Sequence, residues 1–145
     1  MPALVVLALV AGLMPAPALG VDPSVEELKA RLATASVGDR PHLCVQIAEK
    51  QLTAAARFYA ATDIENAEAA LTDVVAFSEL ARDYAIQSRK YQKQTEIAVR
   101  GMARKLNDLA HTLAHDERAP VQDAIKRLQR VRDDLLVAMF PKGAK

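Results

Sequence analysis

Between Ile64 and His115 the chain has no proline, a single glycine at Gly101, and two series of apolar residues spaced mostly three or four apart. Ile64, Ala67, Leu71, Val74, Ala81 and Ala85 form one series, and Val99, Met102, Leu106, Leu109 and Leu113 form a second. Steps alternating between three and four residues put such side chains on one face of an α-helix. The two series stay in phase, but Ser88, Gln92 and Thr95 fill the register between them. Either one helix of about 50 residues, roughly 75 Å long, carries both series, or the chain bends near residues 88 to 93. The retained phase favours continuity, so the expectation is a single long helix, kinked at most.

The flanking sequence supplies further helices. Ser24 and Glu27 have the spacing of a capping box, Pro23 suits a first turn, and Gly38 is a stop signal, which together predict a short helix near residues 23 to 36. Pro41 opens a second helix over residues 40 to 61, with Cys44, Ile47, Ala48, Ala55, Phe58 and Tyr59 along one side. Thr62-Asp63-Ile64-Glu65 reads as another capping box and a tight turn, which makes the next helix an antiparallel neighbour. After Ala119-Pro120, a last helix carries Val121, Ala124, Ile125, Leu128, Val131, Leu135, Leu136 and Met139 inward, until Pro141 and Gly143 stop it. The expected fold is all-α: antiparallel helical hairpins in a bundle, with one short and three longer helices, the third very long or kinked. The second helix packs on the first half of the third, the last helix packs on its second half, and the first helix forms a lid.

The first twenty residues, MPALVVLALVAGLMPAPALG, carry no charge and run apolar from Ala3 to Leu13 before a stretch of prolines and small residues. This is the outline of a secretory signal peptide, although its leading region lacks the usual Lys or Arg. Ala18-Leu19-Gly20 places cleavage before Val21, with Ala16-Pro17-Ala18 as the second choice. Residues 1–20 are therefore expected to be a removable leader, residues 21–145 a single helical domain, and the product periplasmic or secreted. Contact with a membrane is expected only through the transient leader. Cys44, the only cysteine, excludes an intramolecular disulfide and falls in the middle of an apolar face, where it acts as a small hydrophobe.

The segments KQTEIAVRGMARKLNDLAHTL and PVQDAIKRLQRVRDDLLVAMF resemble an uncharacterised group of exported bacterial helical proteins. That resemblance implies export and helical structure, and it brings no activity or site residue with it.

Chemistry is sparse. The chain has 3 histidines, of which His111 and His115 in HTLAHDE stand four apart; with Asp108 they make Asp-x2-His-x3-His, a ligand set that suits zinc or another first-row divalent ion. If Leu106, Leu109 and Leu113 face inward, these three point outward, between Arg104 and Arg118, and a solvated helix face is the simpler reading. Thr112 stands where a zinc peptidase of the HExxH type has its glutamate. There is no phosphate loop, no nucleophile elbow, and no cysteine with a base on its own helix face, so no enzyme and no cofactor are expected.

Charge is patterned rather than biased. With 19 basic and 18 acidic side chains the net charge is +1, which gives no overall field for nucleic acid, and no nucleic-acid partner is expected. Residues 63 to 83 carry Asp63, Glu65, Glu68, Asp73, Glu79 and Asp83 against Arg82; residues 89 to 105 carry Arg89, Lys90, Lys93, Arg100, Arg104 and Lys105 against Glu96. Two copies laid antiparallel along helix three would match acid to base, which makes a homodimer one expected partner arrangement. Phe77, Leu80, Tyr84 and Tyr91 add a second apolar stripe that helix one covers or a partner meets. The expected function is that of an exported, non-enzymatic structural or protein-interaction protein, with divalent-metal binding at Asp108, His111 and His115 as the alternative. A weaker third class is a binder of anionic envelope components through residues 89 to 105.

Overall fold

The computed structural model describes residues 22–141; the leader expected over residues 1–20 and the cleavage expected before Val21 lie outside them. Five α-helices follow in order, α1 (Val25–Thr34), α2 (Arg40–Ala60), α3 (Ile64–Ser88), α4 (Gln92–Thr112) and α5 (Arg118–Met139), with a single 3-10 turn, His115–Glu117, before α5. Among the described residues no helix is long and apolar enough to cross a membrane. The all-α bundle expected from periodicity is present.

Local chemistry explains most boundaries. Ser24 caps α1, its hydroxyl accepting from the Glu27 amide at 3.1 Å. Gly38 is not the stop: α1 ends at Thr34, and Arg40 Nε donates to the free Ala35 carbonyl at 3.1 Å. At the start of α3 the cap is Asp63, which accepts from the Asn66 amide at 3.4 Å and from Asn66 Nδ2 at 2.7 Å, in place of the expected Thr62–Glu65 pair. Thr62 instead turns the chain in the left-handed region. Pro120 lies inside the first turn of α5, where no intrahelical amide is needed, so it starts that helix rather than separating two.

The single long helix is overturned. Ser88 ends α3, and the chain reverses through Arg89 (φ 58) and Tyr91 (φ 61), both left-handed, before α4 begins at Gln92. A left-handed conformation costs a non-glycine residue about 1 kcal/mol or more. Packing offsets that cost, because the two apolar series no longer lie end to end. Folded back, Val99, Met102 and Leu106 share one core with Leu71, Val74, Leu128 and Val131. A straight helix would leave each series with only its own hairpin partner.

Within the bundle, α2 packs on α3 and α5 on α4, as the two expected hairpins require. The hairpins stack through α3 on α5 and α2 on α4. The stacked helices run parallel: Glu79 meets Arg127 and, further along both helices, Arg82 meets Asp134. The α3–α4 connection therefore crosses the bundle end diagonally. Helix α1 lies on α2, and Leu32 joins Phe77 and Tyr84 around a smaller core of Cys44, Val45 and Ala81.

Candidate functional site: one end of the bundle

The chain reversal at residues 89–91 gathers at one end the last turns of α3 and α5, the first turns of α2 and α4, and the α1–α2 turn. Among the described residues, all the exposed large hydrophobic ones except Leu80 lie within about two turns of this end: Ile86 near the end of α3, Tyr91 in the reversal, Ile97 in the second turn of α4, and Val137 and Phe140 at the end of α5. Phe140 is 71% exposed and Val137 59%. From Leu135 to Phe140 helix α5 carries no charge at all, although its outer positions face solvent. Such exposure is the informative kind, because scattered single residues need no explanation but a collection at one place does.

Cations frame these residues. Arg89, Lys90 and Lys93 are exposed and enter no ion pair among the described residues. The carboxylate of the neighbouring turn, Asp39, accepts from the Ser36 hydroxyl at 2.9 Å. Lys90 lies across the α1–α2 turn, its Cδ 2.9 Å from where a Cβ on Gly38 would stand, a contact that the flexible end of the lysine can relieve by shifting. His42 meets Tyr91 with ring centroids 6.1 Å apart and planes 33° from parallel. The reversal is thus clamped to the start of α2.

The predicted stripe divides. Phe77 is half-buried with Lys29 of α1 over its ring at 5.6 Å, and Tyr84 is half-buried with the Arg40 guanidinium at 5.1 Å. Helix α1 covers this part. Leu80 lies on the other side of α3, in an open groove of 530 Å³ between α3 and α5 that also holds Glu68, Glu79, Asp83 and Asp123. Its acids are partly answered from within the molecule: Arg82 bonds Asp83 at 2.9 Å, and Arg127 lies 4.0 Å from Glu79 and 3.6 Å from Asp123.

The basic residues divide as well. Arg100 sits 3.4 Å from Glu96, whose side chain is 8% exposed and accepts from Arg132 Nε at 2.6 Å. This clamp ties α4 to α5 and was hidden in the sequence, where Glu96 counts as one acid among cations. Its register is the only clue, since Thr95, Glu96 and Val99 all fall on the buried side of α4. Arg104 and Lys105 are exposed further along α4. Acid-to-base pairing of two straight helices is not available to a chain that reverses at residue 89.

Asp108, His111 and His115 are exposed, as the helical wheel predicts, but α4 stops at Thr112 and Leu113 is extended. His115 therefore leaves the face that carries the other two. His111 Nδ1 lies 2.6 Å from the Asn107 carbonyl and donates to it, leaving Nε2 as its free nitrogen. Among the described residues no group of three or more His, Cys, Asp or Glu side chains is placed to hold a metal ion. Cys44 is buried, and its burial pushes the thiol up to about 11 against a smaller opposing pull from Arg40, so the nucleophilic thiolate is disfavoured.

The chain matches no protein-family model, no curated protein and no solved structure.

Proposed function

We propose that this is an exported, non-enzymatic interaction protein that docks through the end of the bundle formed by the α3–α4 reversal and the last turn of α5. The observation that carries the reading is the coincidence, at that end, of Tyr91, Ile97, Val137 and Phe140 with Arg89, Lys90 and Lys93. Apolar side chains supply the attraction of burial and unpaired cations supply orientation, a combination that suits recognition rather than bond-making. Export rests on the leader-like first twenty residues, and a mature chain beginning at Val21 is the expected result of amino-terminal sequencing.

A photo-crosslinking amino acid at position 91 tests the docking reading in living cells. Adducts are expected from position 91 and not from position 61, at the opposite end of α2. Equal labelling at both ends, or none at position 91, contradicts it.

A further inference from the structure

We infer that this end of the bundle binds an anionic phospholipid surface, with Phe140, Val137 and Tyr91 entering the headgroup boundary and Arg89, Lys90 and Lys93 meeting lipid phosphates. The inference rests on the docking reading and names the partner class. It departs from the sequence expectation that only the leader touches a membrane, because Val137 and Phe140, which lie outside the inward series of α5, stand exposed at this end of the fold.

The shape and the charge favour lipid over protein. The surface is a tip where helices end, whereas the open grooves run along the flanks, between α3 and α5 and between α1 and α2. A membrane accepts a protruding apolar tip, and shallow insertion framed by Lys and Arg is how interfacial segments bind. Residues 86–97 place Arg89, Lys90 and Lys93 around Tyr91 with a single acid, Glu96, which is turned inward to Arg132 and Arg100. The long Lys and Arg stems can lie against the apolar residues while their charges reach phosphate. Within residues 86–97 no acid is left to neutralise these cations, and Asp39 of the adjoining α1–α2 turn leaves the three in excess. A second copy is the poorer occupant, since a two-fold contact through this end would bring Arg89, Lys90 and Lys93 against themselves.

Tryptophan is absent from the chain, so single reporters are clean. In the full chain, Phe140→Trp reports on the tip and Ala61→Trp on the opposite end, which keeps any membrane contact of residues 1–20 from being mistaken for docking. With vesicles of equal phosphatidylglycerol and phosphatidylcholine at low salt, emission from the Phe140→Trp chain is expected to shift to the blue and emission from the Ala61→Trp chain to stay unchanged. Reversing Arg89, Lys90 and Lys93 to Glu is expected to weaken the apparent partition at least tenfold, on the scale of about 1 kcal/mol per cation at a charged leaflet, or roughly fivefold each. Circular dichroism establishes that the variant is folded, and Lys105→Glu is expected to leave the partition unchanged. No shift in the Phe140→Trp chain, an equal shift with phosphatidylcholine alone, or an equal loss in Lys105→Glu overturns the inference. So does a blue shift without vesicles that grows with protein concentration, the sign of self-association. If vesicles give no shift while position 91 still crosslinks a protein in cells, lipid is excluded and the docking reading stands. Failure of both removes both.

Discussion

Tyr59 is 6% exposed, and its hydroxyl has no hydrogen-bond partner among the described residues. A buried polar atom without a partner costs free energy, so its removal should help: Tyr59→Phe is expected to raise stability by about 1 kcal/mol in urea unfolding. Burial, then the carboxylates of Glu68 and Glu117, hold the phenol above its ordinary range, in keeping with that cost. A loss of about 1 kcal/mol or more would mean the hydroxyl is bonded. Cys44 offers a test by pH. Its folded thiol is raised to about 11 from an ordinary value of 9.0, so above pH 9 the unfolded chain loses a proton that the folded chain keeps. The corresponding stability is complete below pH 9 and is lost as pH rises through 11, by on the order of 2 kcal/mol. Cys44→Ala is expected to remove this decline between pH 9 and 11, and a decline of equal size in the variant contradicts it. Both residues were legible as core from helical spacing. The orphaned hydroxyl was not, because it depends on what α3 and α5 bring near the end of α2.

At the scale of elements, caps and apolar spacing foretold the hairpins, and the Ser88, Gln92 and Thr95 interruption marked where the third helix would fail. Periodicity could not decide between a bend and a polar passage through a continuous helix. The two share the same phase, and only packing of the second hairpin on the first distinguishes them. Substitution at the reversal separates the cases by sign. Arg89→Gly relieves a left-handed residue and is expected to raise stability by about 1 kcal/mol, whereas glycine in a continuous helix would lower it by about as much. Gly101 is the complement: it is helical, a Cβ there meets nothing within 4 Å, and Gly101→Ala is expected to add about 0.5 to 1 kcal/mol. Thermal unfolding of the two variants reads both signs. The same breaks explain why HTLAHDE misleads, since i to i+4 spacing makes a shared face only while the helix continues, and α4 ends at Thr112.

For the whole molecule, the reversal decides what the surface is. It stacks α3 on α5 and α2 on α4, joins the two apolar series in one core, and brings Tyr91, Ile97, Val137 and Phe140 to a single end beside Arg89, Lys90 and Lys93. Each of these residues can be read singly from the sequence, and Tyr91, Lys90 and Lys93 stand out there by type. Their assembly cannot be read, because Val137 and Phe140 lie more than forty positions away in the chain and come near only when the second hairpin folds back. The most direct test is the distance between the start of α3 and the end of α4, taken by pulsed electron paramagnetic resonance with spin labels at Glu65→Cys and Asp108→Cys in a Cys44→Ala background. Helices folded back at interaxial spacings of about 8–10 Å predict a separation of roughly 20 to 30 Å between the labels. A continuous helix would hold them roughly 65 Å apart, and a distribution centred there contradicts the bundle and the docking end built on it.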